Sequence, residues 1–287
     1  MKILLTGAHG QLGWELQRTV PPGVEIVAFG SGHLDVTDRQ AVMQTVTALA
    51  PDLIVNAAAY TAVDKAEADV MRAFQVNGQG AAHVAQAARE MGARLVHIST
   101  DFIFDGLKST PYLPTDPPNP LGVYGRSKLA GEEQVLSITK GEHTAIIRTA
   151  WLYSSHGHNF VKTMLRLMQE REALAVISDQ IGTPTWAHTL ARAVWSVVMT
   201  GISGIHHCTD AGVASWYDFA VAIMEEAAAL GLLSRQPAIR PIASSDYPLP
   251  AQRPSYSVLD KTSLWRAMDC QPDHWRVALR QMLREMV

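Results

Sequence analysis

Cysteine is nearly missing from this chain: two among 287 residues, Cys208 and Cys270. Neither stands in a Cys-x-x-Cys pair, so a disulfide framework and a thiolate metal ribbon are excluded, and the thiols suit a reducing compartment. A charge surplus is missing too. Lys and Arg number 24 against 27 Asp and Glu, a formal net charge of −3, which leaves no basic excess to hold nucleic acid. No run reaches the roughly 20 apolar residues of a membrane span. The apolar start at Lys2–Leu5 passes at once into glycines, unlike the longer core and cleavage site of a signal peptide. These absences lead us to expect a soluble cytoplasmic protein with neither nucleic-acid nor membrane partners.

What is present is apolar content, 47% of residues, enough for one large domain or a domain with a smaller lobe. Short apolar runs alternate with amphipathic stretches. Lys2–Thr6, Glu25–Phe29, Leu53–Ala57, Leu95–Ser99 and Thr144–Arg148 read as buried strands. Between them Leu12–Val20, Gln40–Leu49, Ala68–Met91 and Lys128–Ile138 carry helical spacing. Strict alternation predicts an α/β fold, a Rossmann-type doubly wound parallel sheet with right-handed crossovers. Beyond Trp151 the rhythm changes. Helices are expected over Asn159–Gln169, Thr189–Met199, Ala214–Ala229 and Trp275–Met286, a strand over Leu174–Ile177, and irregular loop over Pro237–Pro254. The expected division is residues 1–150 plus 171–202 for dinucleotide binding, and 151–170 plus 203–287 for a substrate-binding lobe.

The first strand runs into Gly7, Gly10, Gln11, Leu12 and Gly13, a G-x-x-G-x-x-G loop opening a helix. Glycines there permit a tight turn and close approach of the backbone to a pyrophosphate, whose charge then sits at the helix N-terminus. The end of the second strand, Phe29-Gly30-Ser31-Gly32-His33, has neither the acid that favours NADH nor an arginine for a 2′-phosphate. Lack of the carboxylate removes one barrier to NADPH. Asp35 and Val36 follow, as adenine contacts or as a cap for the helix beginning near Thr37. In Asn56-Ala57-Ala58-Ala59-Tyr60-Thr61, small residues let a cofactor lie against the strand end with Thr61 in reach of its oxygens. The alternative is close helix packing on a small-residue strand.

Tyr124 and Lys128 are spaced i, i+4, which places both on one helix face. An ammonium beside a phenol is expected to lower its pKa and improve it as a proton donor, while also reaching ribose hydroxyls. Ser99, Thr100 and Asp101 end a strand, and ligands of doubly wound sheets sit beyond the carboxyl ends of strands. A hydroxyl there polarises a carbonyl as charge develops on its oxygen, and Thr100 is our choice; a turn with Asp101 as its cap is the alternative.

In this order the glycine loop, Asn-Ala-Ala-Ala, Ser-Thr-Asp and Tyr-x-x-x-Lys resemble the extended short-chain dehydrogenase/reductases. TGAHGQLGWELQR, NAAAYTAVDKAE, ISTDFIFDG, GVYGRSKLAGE, RTAWLY, NFVKTMLRL, SDQIGTPT and RPSYSVLD extend the likeness along nearly the whole chain. Together they resemble the dTDP-4-dehydrorhamnose reductase family, which reduces the C4 keto group of dTDP-4-dehydro-L-rhamnose with NADH or NADPH.

The resemblance implies that Tyr124 gives the proton, Lys128 supports it and binds ribose, and Thr100 holds the carbonyl oxygen. It also implies Gly10, Gln11, Leu12, Asp35, Val36, Ala59, Tyr60 and Thr61 as cofactor contacts, with Asp101 and Trp151 at the nucleotide-sugar substrate. By packing alone Trp151 suits a core equally well. Some members dimerise through Mg²⁺ held by glutamates. Glu15 and Glu285 match two such positions, but His188 replaces the third, so no metal is predicted although a homodimer is possible. The pairs His156/His158 and His206/His207 are expected to be solvated or hydrogen-bonded. Two alternatives stand beside the reductase: another nucleotide-sugar epimerase or dehydratase, and a non-catalytic subunit resembling the regulatory partner of methionine adenosyltransferase.

Overall fold

The computed structural model describes residues 1–287. Six parallel strands form the central sheet: β1 (Lys2–Thr6), β2 (Glu25–Phe29), β3 (Leu53–Asn56), β4 (Arg94–Thr100), β5 (Thr144–Thr149) and β10 (Gly204–His207). Their spatial order is β10-β5-β4-β3-β1-β2, and every neighbouring pair is parallel. Alternation along β1 sorts the two faces. Ile3 and Leu5 pack with α1 (Gln11–Arg18) and α8 (Ala187–Thr200), whereas Leu4 packs with α2 (Arg39–Leu49) and α5 (Ala81–Met91). The chain leaves β1 for β2 on one side and returns to β3 on the other, so a crevice opens beyond the carboxyl ends of β1 and β3.

Between β3 and α5 lie α3 (Val63–Ala66), α4 (Val70–Phe74) and a π turn at Gln75–Gly80. The helix expected over Ala68–Met91 therefore forms from Val70 to Met91, with the π turn as a bulge inside it. Gly78 and Gly80 lower helical propensity at its middle, and the bulge turns Asn77 toward the site. The helix α6 (Val123–Thr139) starts five residues before the expected Lys128, so Tyr124 lies inside it. Gly122 offers no side-chain cap; instead Glu67 Oε1 accepts the Val123 N–H at 2.7 Å, a carboxylate at the positive end of the helix.

The smaller lobe has its own core, built from α7 (Phe160–Glu170), α9 (Trp216–Ala229) and α11 (Trp275–Arg284) around Tyr153, Phe219 and Leu279. Its strands are short: β6 (Leu152–Tyr153) with β9 (Thr185–Trp186), β8 (Ile181–Gly182) with β11 (Ala214–Ser215), and β7 (Ala173–Ile177) with β12 (Ala238–Ile242).

Three expectations are corrected here. The strand at Leu174–Ile177 forms but pairs with β12 rather than rejoining the large sheet. The sixth strand of that sheet is Gly204–His207, which the expected division gave to the smaller lobe. Pro237–Pro254 is not wholly irregular, since β12 runs through it. Pro241 is tolerated there because a two-stranded sheet has only edges. Helix α10 (Thr262–Met268) also returns to the large lobe, where Leu264 is buried beside α8. No helix is long and apolar enough to cross a membrane.

Candidate active site

The crevice is a cleft of about 940 Å³ between the lobes. Every residue singled out from the sequence for cofactor, substrate or chemistry lines it, from Gly7 in the glycine loop through Lys128 to Trp151. At its floor the strand ends are cross-linked by buried polar contacts. Thr6 Oγ1 donates to Asn56 Oδ1 at 2.7 Å, and Asn56 Nδ2 meets His97 Nδ1 at 3.1 Å.

The glycine loop is a cradle that side chains would fill. Gly7 has φ +74°, and a Cβ there would lie 2.5 Å from the Ala57 carbonyl oxygen. A Cβ on Gly13 would lie 2.2 Å from the Gly7 oxygen, so helix and strand touch through bare backbone. Gly10 caps α1 without a side-chain hydrogen bond, which leaves the first N–H groups of the helix facing the cleft. These features fit a dinucleotide pyrophosphate. Ser99 and Thr149, both buried, present cleft-lining hydroxyls with no protein partner, in keeping with a polar ligand above the strand ends.

Asp35 is held by its own turn, its Oδ1 accepting from Thr37 N at 2.9 Å and Thr37 Oγ1 at 2.8 Å, while it also faces the cleft. The segment Ala57–Thr61 is fixed by a residue the sequence reading missed. Asn77 Oδ1 accepts the Tyr60 N–H at 2.9 Å, and its Nδ2 donates to Tyr60 O at 3.1 Å and to Ser127 Oγ at 2.9 Å. Asn77 thus ties the cofactor-side loop to the helix carrying Tyr124 and Lys128. No spacing rule marks an asparagine within a helical stretch, and only the π turn reveals it.

On α6, burial pushes the Tyr124 phenol up to about 12; a hydrogen bond with Thr100 opposes the rise and the Asp101 charge adds to it. Burial lowers the Lys128 amine to about 8, with Glu132 opposing. Its Nζ donates to the Ile98 carbonyl at 2.7 Å. The expectation that lysine lowers the tyrosine pKa is therefore corrected: desolvation is the larger effect, and the ammonium is aimed at β4. Phe102 stands edge-on to the Tyr124 ring at 5.5 Å. Thr100 Oγ1 donates to Asp101 Oδ1 at 3.1 Å, and Asp101 itself is raised to about 6 by burial, against hydrogen bonds from Ser257 and Thr100.

Trp151 is left-handed, φ +46°, and its ring stacks on Trp216 with centroids 3.6 Å apart and planes 6° from parallel. The indole also covers Gly182, where a Cβ would come within 2.5 Å of it. Trp216, His158 and Arg253 also line the wall; Trp216 was not picked out from the sequence, exposed His158 was expected only to be solvated or hydrogen-bonded, and Arg253 entered only within RPSYSVLD. Arg253 forms a two-pronged pair with Asp64, at 3.0 and 2.8 Å, which brings the RPSYS segment to the cleft.

The glutamates matched to a shared metal do not fit Mg²⁺ here. Buried Glu15 accepts from Arg18 Nε at 2.6 Å and Ser154 Oγ at 3.0 Å, and the same guanidinium binds Glu285 at 2.5 Å. The third neighbour is the His188 imidazole, 3.4 Å from Glu15. The Arg18 guanidinium already occupies oxygens of both carboxylates and offsets one of their two charges, and a nitrogen ligand is a poor replacement for the third oxygen. Of the other histidines, His156 stacks on Trp14, and buried His207 is pushed down to about 3 by burial and by Arg148.

A family model described as the RmlD substrate binding domain matches residues 1–287. A dTDP-4-dehydrorhamnose reductase of Aggregatibacter actinomycetemcomitans is 40% identical over 289 residues, covering 98% of each chain. Among solved structures, a dTDP-4-dehydrorhamnose reductase from Clostridium acetobutylicum superposes with a TM-score of 0.94 at 38% identity, covering 100% of this chain and 99% of that one. One from Bacillus anthracis, in complex with NADP, gives 0.93 at 36% identity, covering 99% of both.

Proposed function

This chain belongs to the RmlD substrate binding domain family, and from that membership we propose that it reduces dTDP-4-dehydro-L-rhamnose to dTDP-L-rhamnose with NADH or NADPH. It is an oxidoreductase with a Rossmann-type fold. The observation that carries the reading is the convergence of Thr100, Tyr124 and Lys128 in the cleft that also contains the glycine cradle.

The nicotinamide, when bound, supplies a hydride to the C4 carbonyl carbon of the sugar. Negative charge then develops on the carbonyl oxygen. Thr100 Oγ1 turns its single hydroxyl proton from Asp101 Oδ1 to that oxygen, a contribution typically worth about 10²–10³ in rate. Tyr124 Oη passes its proton to it. With the phenol raised to about 12 by burial, that proton is fully loaded at neutral pH, and the forming alkoxide is the stronger base. The Lys128 ammonium, one helical turn on, offsets the phenolate charge that results. On the cofactor side, the N–H groups opening α1 hold the pyrophosphate, with Asp35, Val36 and Ala59–Thr61 along the rest of the dinucleotide. Asp101 and the Trp151 ring face the sugar. Two free cysteines, one of them buried, accord with a cytoplasmic enzyme.

The test is stoichiometric loss of nicotinamide absorbance with enzymatically made dTDP-4-dehydrorhamnose. One reduced cofactor consumed per dTDP-rhamnose formed supports the reading. Sugar turnover without net cofactor oxidation makes the protein an epimerase, and no turnover on any nucleotide sugar makes it a binding subunit.

A further inference from the structure

The cleft continues past the glycine loop to the carboxyl end of β2, where the adenosine ribose of a dinucleotide lies in doubly wound sheets. A carboxylate at that strand end binds the ribose diol and repels a 2′-phosphate. This chain has Gly30 there, directly beneath the His9 imidazole. A Cβ on Gly30 would fall 2.4 Å from the ring, so any side chain at this position must first displace His9. The next residue, Ser31, is exposed and lines the cleft.

Arg72, on α4, lines the same cleft. It reaches Asp35 Oδ2 at 3.3 Å and Thr37 Oγ1 at 3.4 Å, both long contacts. A guanidinium has five N–H donors, so most of them are unused. Its side chain is 42% exposed and lines the cleft. Asp35, in turn, is already committed to Thr37 through its other oxygen.

Building on the dinucleotide reading of the cleft, we propose that Arg72 is the cofactor-specificity determinant. Its free guanidinium edge and the Ser31 hydroxyl take the 2′-phosphate of NADPH at a strand end that lacks the NADH-selecting acid. Asp35 acts as a positioning residue that holds the guanidinium over the cleft. The charge balance makes Arg72 decisive. With it, the Arg72–Asp35 pair is neutral and offers donors; without it, the Asp35 carboxylate alone faces a dianionic phosphate.

The experiment is a fluorescence titration of the purified protein with NADPH and with NADH, repeated on Arg72→Met and Arg72→Lys. Loss of a charge-assisted bidentate contact predicts that Arg72→Met raises the Kd for NADPH roughly tenfold or more, while the Kd for NADH moves less than about twofold. Arg72→Lys keeps the charge without the fork and is expected to fall between parent and Met variant. Adenosine 2′,5′-bisphosphate is expected to compete better than 5′-AMP in the parent and to lose that advantage in Arg72→Met. Equal weakening of both dinucleotides, or unchanged NADPH binding, overturns the assignment. Failure of the parent to bind either dinucleotide brings down the reading of the cleft itself. Parent binding to both, with Arg72→Met indistinguishable, removes the specificity role alone.

Discussion

The Nζ of Lys128 donates to the backbone carbonyl of Ile98 across 2.7 Å. That contact pins α6 to β4 just before the strand delivers Ser99 and Thr100 to the cleft. It also places a buried cation one helical turn from the Tyr124 phenol without directing it at the phenol oxygen. The pair is thus arranged as a loaded proton donor with a nearby charge, rather than as a tyrosine ionised in advance.

A pH dependence follows from the same pair. Lys128 titrates near 8 in the free protein, whereas Tyr124 titrates near 12. Because kcat/KM reports the free enzyme, it is expected to fall as pH rises through about 8, when the supporting charge is lost. The stability effect has the opposite sign. The folded amine lies below its ordinary 10.5, so folding disfavours its charged form and stability gains between about 8 and 10.5. A kcat/KM profile that stays level from neutral pH to well above 8 contradicts the role given to Lys128.

Behind the site, Arg148 and Glu132 form a buried ion pair, 2.7 Å apart and 3% and 2% exposed. Arg148→Met leaves the carboxylate uncompensated and is expected to cost about 3–5 kcal/mol in denaturant unfolding. Adding Glu132→Gln is expected to recover part of that loss. A single variant within about 1 kcal/mol of the parent would show the pair to be expendable.

Arg18 joins Glu15 and Glu285 where a shared magnesium would otherwise be sought. Chelation with EDTA is expected to leave both Tm and turnover unchanged. Arg18→Ala is expected to lower Tm, since Glu15 is fully buried and loses a charged partner. A marked fall in Tm with EDTA, reversed by Mg²⁺, contradicts this account of the cluster.

Asp101 carries a carboxyl raised from 3.8 to about 6 by burial. A folded pKa above the ordinary one gives stability that is complete below about 4 and lost as pH rises through about 6. Asp101→Asn removes that loss. It is expected to be the more stable form at neutral pH, with the advantage shrinking toward pH 4, in parallel thermal scans. If the asparagine variant is instead the less stable at neutral pH, hydrogen bonds to the carboxylate outweigh its desolvation.

Much of this was legible in the sequence because it depends on local pattern. The glycine loop must follow a strand and open a helix, and a tyrosine and lysine four apart must share a helix face; both statements hold without tertiary information. What failed was non-local. Whether Leu174–Ile177 or Gly204–His207 joins the large sheet is decided by pairing partners far along the chain; the first is short and apolar, whereas the second, Gly-Ile-His-His, carries no apolar run that would mark it as a sheet strand. Desolvation of the half-buried Tyr124 and the buried Lys128, which reverses the expected pKa shift, comes from packing around α6 rather than from the spacing. Asn77 and Arg72 escaped notice because each acts across the fold, through Tyr60 and Asp35, from within an ordinary helical stretch.

The proton-donor role of Tyr124 is the account's central claim, and Tyr124→Phe tests it most directly. Turnover of dTDP-4-dehydrorhamnose and the Kd for NADPH are measured on the same preparation. Removing the donor while keeping the ring is expected to lower kcat by about 10²–10⁴, with NADPH affinity within about twofold of the parent. A kcat near that of the parent contradicts the assignment and moves the proton to another group in the cleft.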